Sequence, residues 1–207
     1  MGQYASFWDK TARKYAASPI GNQAAYEETM SRTRTYLGAD KTVLEIGCGT
    51  GSTAILLAPD AGQITATDYA AEMIAIGTEK AATAAIDNIS FIQAEITDPQ
   101  FTPGSFDVVM GFNLLHLMED PTVAINRAHA LLTPGGCFIS KSVCLKKKKW
   151  LFALPISVMR LLGKAPYLNF LGVEQLEQMI TDAGFEIVET ADLPPTMPSH
   201  FVVARKA

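Results

Sequence analysis

The spacing of apolar residues changes repeatedly along this chain, and each change marks an element. Beyond residue 40, short apolar runs alternate with longer stretches whose apolar residues recur every three or four positions. The short runs predict strands over 41–46, 62–67, 89–93, 106–111 and 136–140. Ile125, Ala128, Leu131 and Leu132 share one helical face before the last of these. A later helix begins near Val173, carries Leu176, Met179, Ile180 and Ala183 on one stripe, and stops at Gly184. Two closing strands, 185–189 and 201–204, are joined by a short proline-rich connection over 192–199, so they should pair antiparallel. Strands that alternate with helices predict a parallel sheet covered on both faces.

Two regions stand outside the alternation. Residues 1–38 look helical, with Phe7, Trp8 and Tyr15 as aromatic anchors. Residues 141–171 separate the fifth strand from the last helix, and loops of that length in a compact domain serve as lids or binding elements. Within the second region, Lys146–Lys149 run into an apolar stretch broken by Pro155 and Arg160, so 146–162 reads either as an apolar lid or as a segment that rests on an anionic bilayer.

Residues 43–51 read V-L-E-I-G-C-G-T-G. Val43, Leu44 and Ile46 suit a buried parallel strand. Gly47, Gly49 and Gly51 allow a sharp turn and close approach of a ligand. A helix that begins near Thr50 would aim its free N–H groups into that turn. A dinucleotide fingerprint needs G-x-G-x-x-G, but here Ser52 takes the place of the third glycine. A Glu45 carboxylate would repel a pyrophosphate and suit a cation. The expected ligand is therefore a nucleoside carrying positive charge and no phosphate, which S-adenosylmethionine satisfies.

The nine residues closely resemble motif I of the class I S-adenosylmethionine-dependent methyltransferases, and further matches run in order through residues 42–140. These include Phe106-Asp107-Val108-Val109 and the turn Leu132-Thr133-Pro134-Gly135-Gly136. The resemblance implies an α/β fold with a Rossmann-like, mostly parallel seven-stranded sheet in the order 3-2-1-4-5-7-6, strand seven antiparallel. It also implies that regions 1–38 and 141–171 close over the site of a single domain.

Glu45, Gly47, Cys48, Gly49, Gly51 and Asp68 form the expected core of the cofactor site. Asp68 can accept both ribose hydroxyls, or cap the helix that follows. In the family pattern Tyr69 packs on the adenosine and Met73 covers the adenine, although Met73 also suits a helix core. Glu95 and Ile96 meet the adenine edge, with a solvated loop as the alternative for Glu95. The Phe112 carbonyl, beside Asn113, meets the methionine ammonium. Tyr4 and Tyr15 match N-terminal aromatics that close such sites, or they simply pack. His116 is either a catalytic base or part of the pocket wall. No metal is implied.

Composition narrows this reading only a little. The chain has 207 residues, 48% of them apolar, which suits one folded domain. A net charge of −4 argues against a nucleic-acid partner. Cys48, Cys137 and Cys144 show no metal or disulfide spacing, and the N-terminus lacks the layout of a signal peptide. With no uncharged apolar run of ~18 residues, the expectation is a soluble cytoplasmic protein of undetermined oligomeric state. It would transfer a methyl group by direct displacement to a small, lipophilic acceptor. The alternatives are a non-catalytic S-adenosylmethionine-binding module and an NAD-dependent oxidoreductase, the second opposed by Ser52 and the later motifs.

Overall fold

The computed structural model describes residues 2–195 and 199–207, with side chains from Ala5 onward. The Tyr4 side chain and the middle of the proline-rich connection, 196–198, therefore lie outside the described residues. Two helices lead the chain, α1 (Gly2–Ala16) and α2 (Gln23–Arg34). Then come β1 (Thr42–Ile46), α3 (Ser52–Leu57), β2 (Gln63–Asp68), α4 (Ala71–Thr83), β3 (Ile89–Gln93) and β4 (Phe106–Phe112). The remainder is α5 (Pro121–Leu131), β5 (Leu132–Val143), α6 (Lys149–Leu161), α7 (Val173–Asp182), β6 (Phe185–Asp192) and β7 (Ser199–Lys206). The sheet runs β3-β2-β1-β4-β5-β7-β6, and β7 is antiparallel to both neighbours.

Alternation along the strands divides the core. Leu44, Ile46, Val109 and Phe138 face α5 and α7, where they meet Ile125, Ala128, Leu176 and Ile180. Val43, Val108, Met110 and Ile139 face the other way, towards Met30 of α2 and Leu57 of α3. Both faces are apolar because helices cover both.

Three boundaries differ from the sequence reading. The helix after the glycine turn starts at Ser52, since Gly51 has φ +72° and its left-handed backbone cannot enter a helix. β5 begins at Leu132, before the predicted Thr133-Pro134-Gly135 breaker, which a shift of register against β4 absorbs between Phe106 and Val108. β5 also runs on to Val143, because β7 supplies ladder partners as far as Ser199. Residues 141–143, expected in the insertion, thus belong to the sheet.

The N-terminal helix lies on α4. Ala12, Ala70, Met73 and Ile76 form a small core between them, with Trp8 and Ala16 against it. Arg13 adds ion pairs to Glu72 at 2.7 Å and Glu79 at 2.8 Å. These are exposed and contribute little to stability, so the apolar contact holds the helix in place.

Candidate functional site

β1 to β4 run parallel and end at one edge, and the chain order reverses between β1 and β4. Such a switch point leaves a crevice where open α/β sheets bind ligands. Here the crevice is a cleft of about 420 Å³, within the usual range for a small-molecule site.

One wall comes from the ends of β1, β2 and β3. Gly47, Asp68, Tyr69, Glu95 and Ile96 line it, each anticipated from sequence. The glycine turn is held by the strand beside it: the Cys48 N–H donates to the Thr67 carbonyl at 2.8 Å. The Gly49 N–H donates to Asp68 Oδ2 at 3.0 Å, and the Ala70 N–H donates to Oδ1 at 2.9 Å. Asp68 therefore ties two turns together rather than acting as the N-cap of α4, a position held by Ala70. Burial raises the Asp68 pKa, and the backbone N–H groups of Ala70, Gly49 and Tyr69 pull it back. Each carboxylate oxygen keeps acceptor capacity for a further donor. A side chain at Gly49 would meet nothing nearer than Tyr15 Cε1 at 3.9 Å, so the turn is open above its backbone.

Aromatics from α1 roof this wall. The Trp8 indole donates to the Tyr69 hydroxyl, and the Tyr15 ring meets Trp8 edge-on at 6.1 Å. Burial first, then the Asp68 charge, raises the Tyr69 pKa. The loop after β3 is fixed from beneath by Arg127, which donates to the carbonyls of Ile96, Asp98 and Phe101.

The facing wall was missed by the sequence reading. Leu114, Leu117, Met118 and Val123 supply it. Their signal was the apolar run that follows Asn113 directly at the end of β4. Asn113 launches that run with φ +55°, a left-handed value that asparagine tolerates, and its N–H donates to the Lys141 carbonyl at 2.7 Å.

The side chains of five expected site residues, Glu45, Cys48, Met73, Phe112 and Asn113, do not line the cleft. Glu45 points to the opposite sheet face from Ile46 and is 2% exposed. The Ala54 N–H donates to its carboxyl, and its Oε2 has no partner among the described residues. Burial pushes its pKa up to about 8, so Glu45 holds its proton at neutral pH. The expected charge beside the turn is absent because desolvation outweighs one backbone hydrogen bond. Met73, expected on the adenine, is instead buried between α1 and α4, because α1 lies across that helix. The Cys48 and Phe112 side chains pack with the core on the α2–α3 face. Asn113 is exposed at the end of β4.

His116 is also buried, at 6% exposure, in the turn behind the apolar wall. Its Nδ1 accepts the Val143 N–H at 3.3 Å, which places its proton on Nε2. Burial lowers its pKa to about 4. A neutral imidazole whose lone pair already accepts a hydrogen bond is a poor base, so this geometry favours the wall. The sign of the shift sets the test. The His116 contribution to stability should fall as pH drops from 6.5 towards 4, because the buried ring must then take up a proton. Turnover should show no limb near pH 6.5, and a limb there that vanishes in His116→Gln would restore the base.

Comparison with known proteins bears on this arrangement directly. The Methyltransferase domain family matches residues 37–187, which contain the sheet edge and both walls of the cleft. The chain belongs to the class I S-adenosylmethionine-dependent methyltransferases. Among similar proteins of this family is the demethylmenaquinone methyltransferase of Staphylococcus aureus (strain JH9). It is 31% identical over 163 residues, covering 69% of this chain and 66% of the relative. The chain thus spans just under two thirds of that curated relative's length. The solved geranyl diphosphate C-methyltransferase of Streptomyces coelicolor A3(2) superposes with a TM-score of 0.74 at 14% identity, over 89% of this chain and 79% of that one. YcgJ from Bacillus subtilis gives 0.72 at 14% identity, over 87% and 98%. The 4+2 cyclase SpnF gives 0.73 at 20% identity, over 89% and 82%. At these identities the structures share the methyltransferase fold, and the cyclase shows that the fold alone does not settle the reaction.

Proposed function

We propose that this chain binds S-adenosylmethionine in the cleft and transfers its methyl group by direct displacement to a small, lipophilic acceptor. One observation carries the reading. The buried Asp68 carboxylate, anchored by two backbone N–H groups, stands beside an open glycine turn and faces an apolar wall. A nucleoside matches that combination of a polar anchor for ribose and apolar surfaces for a base.

The roles follow from the lining. Asp68 would accept the ribose hydroxyls, with Gly47, Gly49 and Gly51 admitting the ligand close to the backbone. Tyr69, Glu95 and Ile96 would flank the adenine, with Leu114, Leu117 and Met118 opposite. Tyr15 and Trp8 would help exclude water over the turn. S-adenosylmethionine supplies a methyl group already activated by its sulfonium. The chain's remaining work is to hold the acceptor in line and keep water out, which needs no dedicated acid or base. The acceptors named for two similar proteins, demethylmenaquinone and geranyl diphosphate, support a small molecule over a nucleic acid. Three buried free cysteines support a reducing, cytoplasmic compartment, and among the described residues no helix is long and apolar enough to cross a membrane.

The test is purified protein with methyl-labelled S-adenosylmethionine and a cell extract separated into lipid, water-soluble and macromolecular fractions. Label should appear in the lipid fraction. Label in macromolecules would overturn the small-molecule reading. Cofactor binding with no label anywhere would favour the silent binding module. Asp68→Ala should weaken cofactor binding by about 1–3 kcal/mol, since charged hydrogen bonds are lost. Unchanged affinity by calorimetry would remove Asp68 from the site.

A further inference from the structure

α6 is a helix whose local sequence works against it. Its thirteen residues include no buried side chain, and Pro155 lies in its interior. Lys148 occupies the N-cap without a capping hydrogen bond, and no acid stands in the first turn. Lys146, Lys147, Lys148 and Lys149 instead crowd the end where the helix dipole is positive, which disfavours cations. A helix stabilised for its own sake would carry serine or aspartate there. These lysines therefore answer to something outside the helix.

The outward face shows what that is. Trp150, Leu154, Val158 and Leu161 fall at helical spacing, and three of them are 82%, 74% and 88% exposed (Trp150, Leu154 and Leu161). Leu151, Met159 and Leu162 widen the stripe. Phe152, Ala153 and Ile156 are the less exposed positions of the same helix. Cations flank the stripe at both ends, with Arg160 and Lys164 completing the set. Between residues 144 and 173 the chain carries no aspartate or glutamate, although the whole protein is net −4. The charged neighbour from another element is Glu174 of α7, paired with Lys147 at 3.3 Å on the surface. Lys149 and Arg160 reach over the rings of Phe170 and Tyr167, at 5.9 Å and 4.8 Å.

We propose that α6 and its lysines dock this protein on an anionic lipid bilayer, with the helix lying in the plane of the interface. A protruding tryptophan and leucine stripe bordered by cations matches a negatively charged surface with an apolar interior. A second copy of the chain does not match, because pairing two such faces would set one cationic rim against another. At thirteen residues the helix lies on a bilayer and is too short to span the ~20 residues of its core. The docked segment also leads back to the cleft. Asn169 donates from its backbone to the His116 carbonyl at 2.7 Å and from its side chain to the Met118 carbonyl at 3.2 Å. The helix on the lipid is thus tied through its return segment to the apolar wall.

This inference goes beyond cofactor binding and is tested without cofactor. Full-length protein is sedimented with phosphatidylcholine vesicles containing about a third phosphatidylserine, and with pure phosphatidylcholine vesicles. Binding to the anionic vesicles should be at least ~10-fold tighter and should weaken as salt rises. Neutralising Lys147→Gln, Lys148→Gln and Lys164→Gln together should weaken it by on the order of 100-fold. Trp150→Ala with Leu154→Ala should also release the protein, while both variants keep the wild-type melting midpoint and cofactor affinity. In a Trp8→Phe background, Trp150 emission should shift to the blue on the vesicles. Equal binding to neutral vesicles, or none to either, overturns the proposal. So does a dimer in ultracentrifugation that Leu154→Ala dissolves, or salt-sensitive retention on RNA in place of vesicles. Cofactor affinity measured on the same samples keeps failure here separate from failure of the methyltransferase reading.

Discussion

Gly51→Ala should cost the fold roughly 2–5 kcal/mol, from two independent effects. Gly51 sits at φ +72°, where an alanine is strained whatever the space around it. Space is also missing. An added Cβ would lie 2.5 Å from Phe91 Cε1 and 3.2 Å from the Gly77 Cα. The Phe91 ring packs against both glycines, since a Cβ on Gly77 would also come within 2.6 Å of it. The ring can escape only by moving out of the groove between α3 and α4. That would disturb β3 and, through the turn, the Gly49–Asp68 hydrogen bond. Urea unfolding should show the loss in the midpoint. Gly51→Ala combined with Phe91→Ala separates the causes, because the double variant should recover the steric part and keep the backbone part. A Gly51→Ala midpoint within about 0.5 kcal/mol of wild type would mean the turn tolerates a side chain, contrary to its geometry.

Glu45→Gln should change the pH dependence of stability more than its stability at low pH. The native Glu45 pKa is about 8, against an ordinary value of 4.5. Between those values the folded protein holds a proton that the unfolded chain releases. Glu45 should therefore contribute a loss of stability as pH rises from 4.5 to 8 that levels off above that, opposite in sign to the His116 contribution below pH 6.5, which both proteins share. The full loss is about 4–5 kcal/mol at 1.36 kcal/mol per unit. Glutamine cannot ionise, so that slope should vanish in the variant. It can still accept the Ala54 N–H, although its amide N–H groups would have to find partners where Oε2 now has none. Asp68 is shifted in the same direction, but it is present in both proteins and cancels in their difference. Unfolding at pH 5 and pH 8.5 reads the effect. A constant gap between the two proteins across that range would show that Glu45 is not the group that titrates.

Much of the candidate site was legible because its determinants are local. Gly47, Gly49 and Gly51 declare a turn wherever they fall together after an apolar strand, and all three take left-handed backbone here. Asp68 at the end of β2 lies beside that turn because parallel pairing of β1 and β2 sets Ile46 opposite Thr67. Glu95 and Ile96 follow from the same rule applied to β3. The apolar wall was less legible. Leu114 and Met118 look like core residues in sequence, and only the left-handed step at Asn113 turns them towards the cleft.

What failed depended on long-range packing. Met73 was equally suited to a ligand or a helix interface, and the placement of α1 on α4 decided between them. Nothing near Glu45 in sequence reveals that its carboxyl is sealed beneath α3 with its proton retained. The extra length of β5 came from β7, more than fifty residues away, which offered hydrogen-bond partners to residues expected in a loop. The sequence thus determined by itself the succession of strands and the glycine turn with its acidic partner, which rest on spacing within short stretches of chain, and its resemblance to a known family implied the sheet order. Only the tertiary structure decided which side chains reach the cleft, which buried acid is neutral, and that α6 leaves its apolar stripe uncovered, because burial and solvation depend on segments that meet only when the chain has folded.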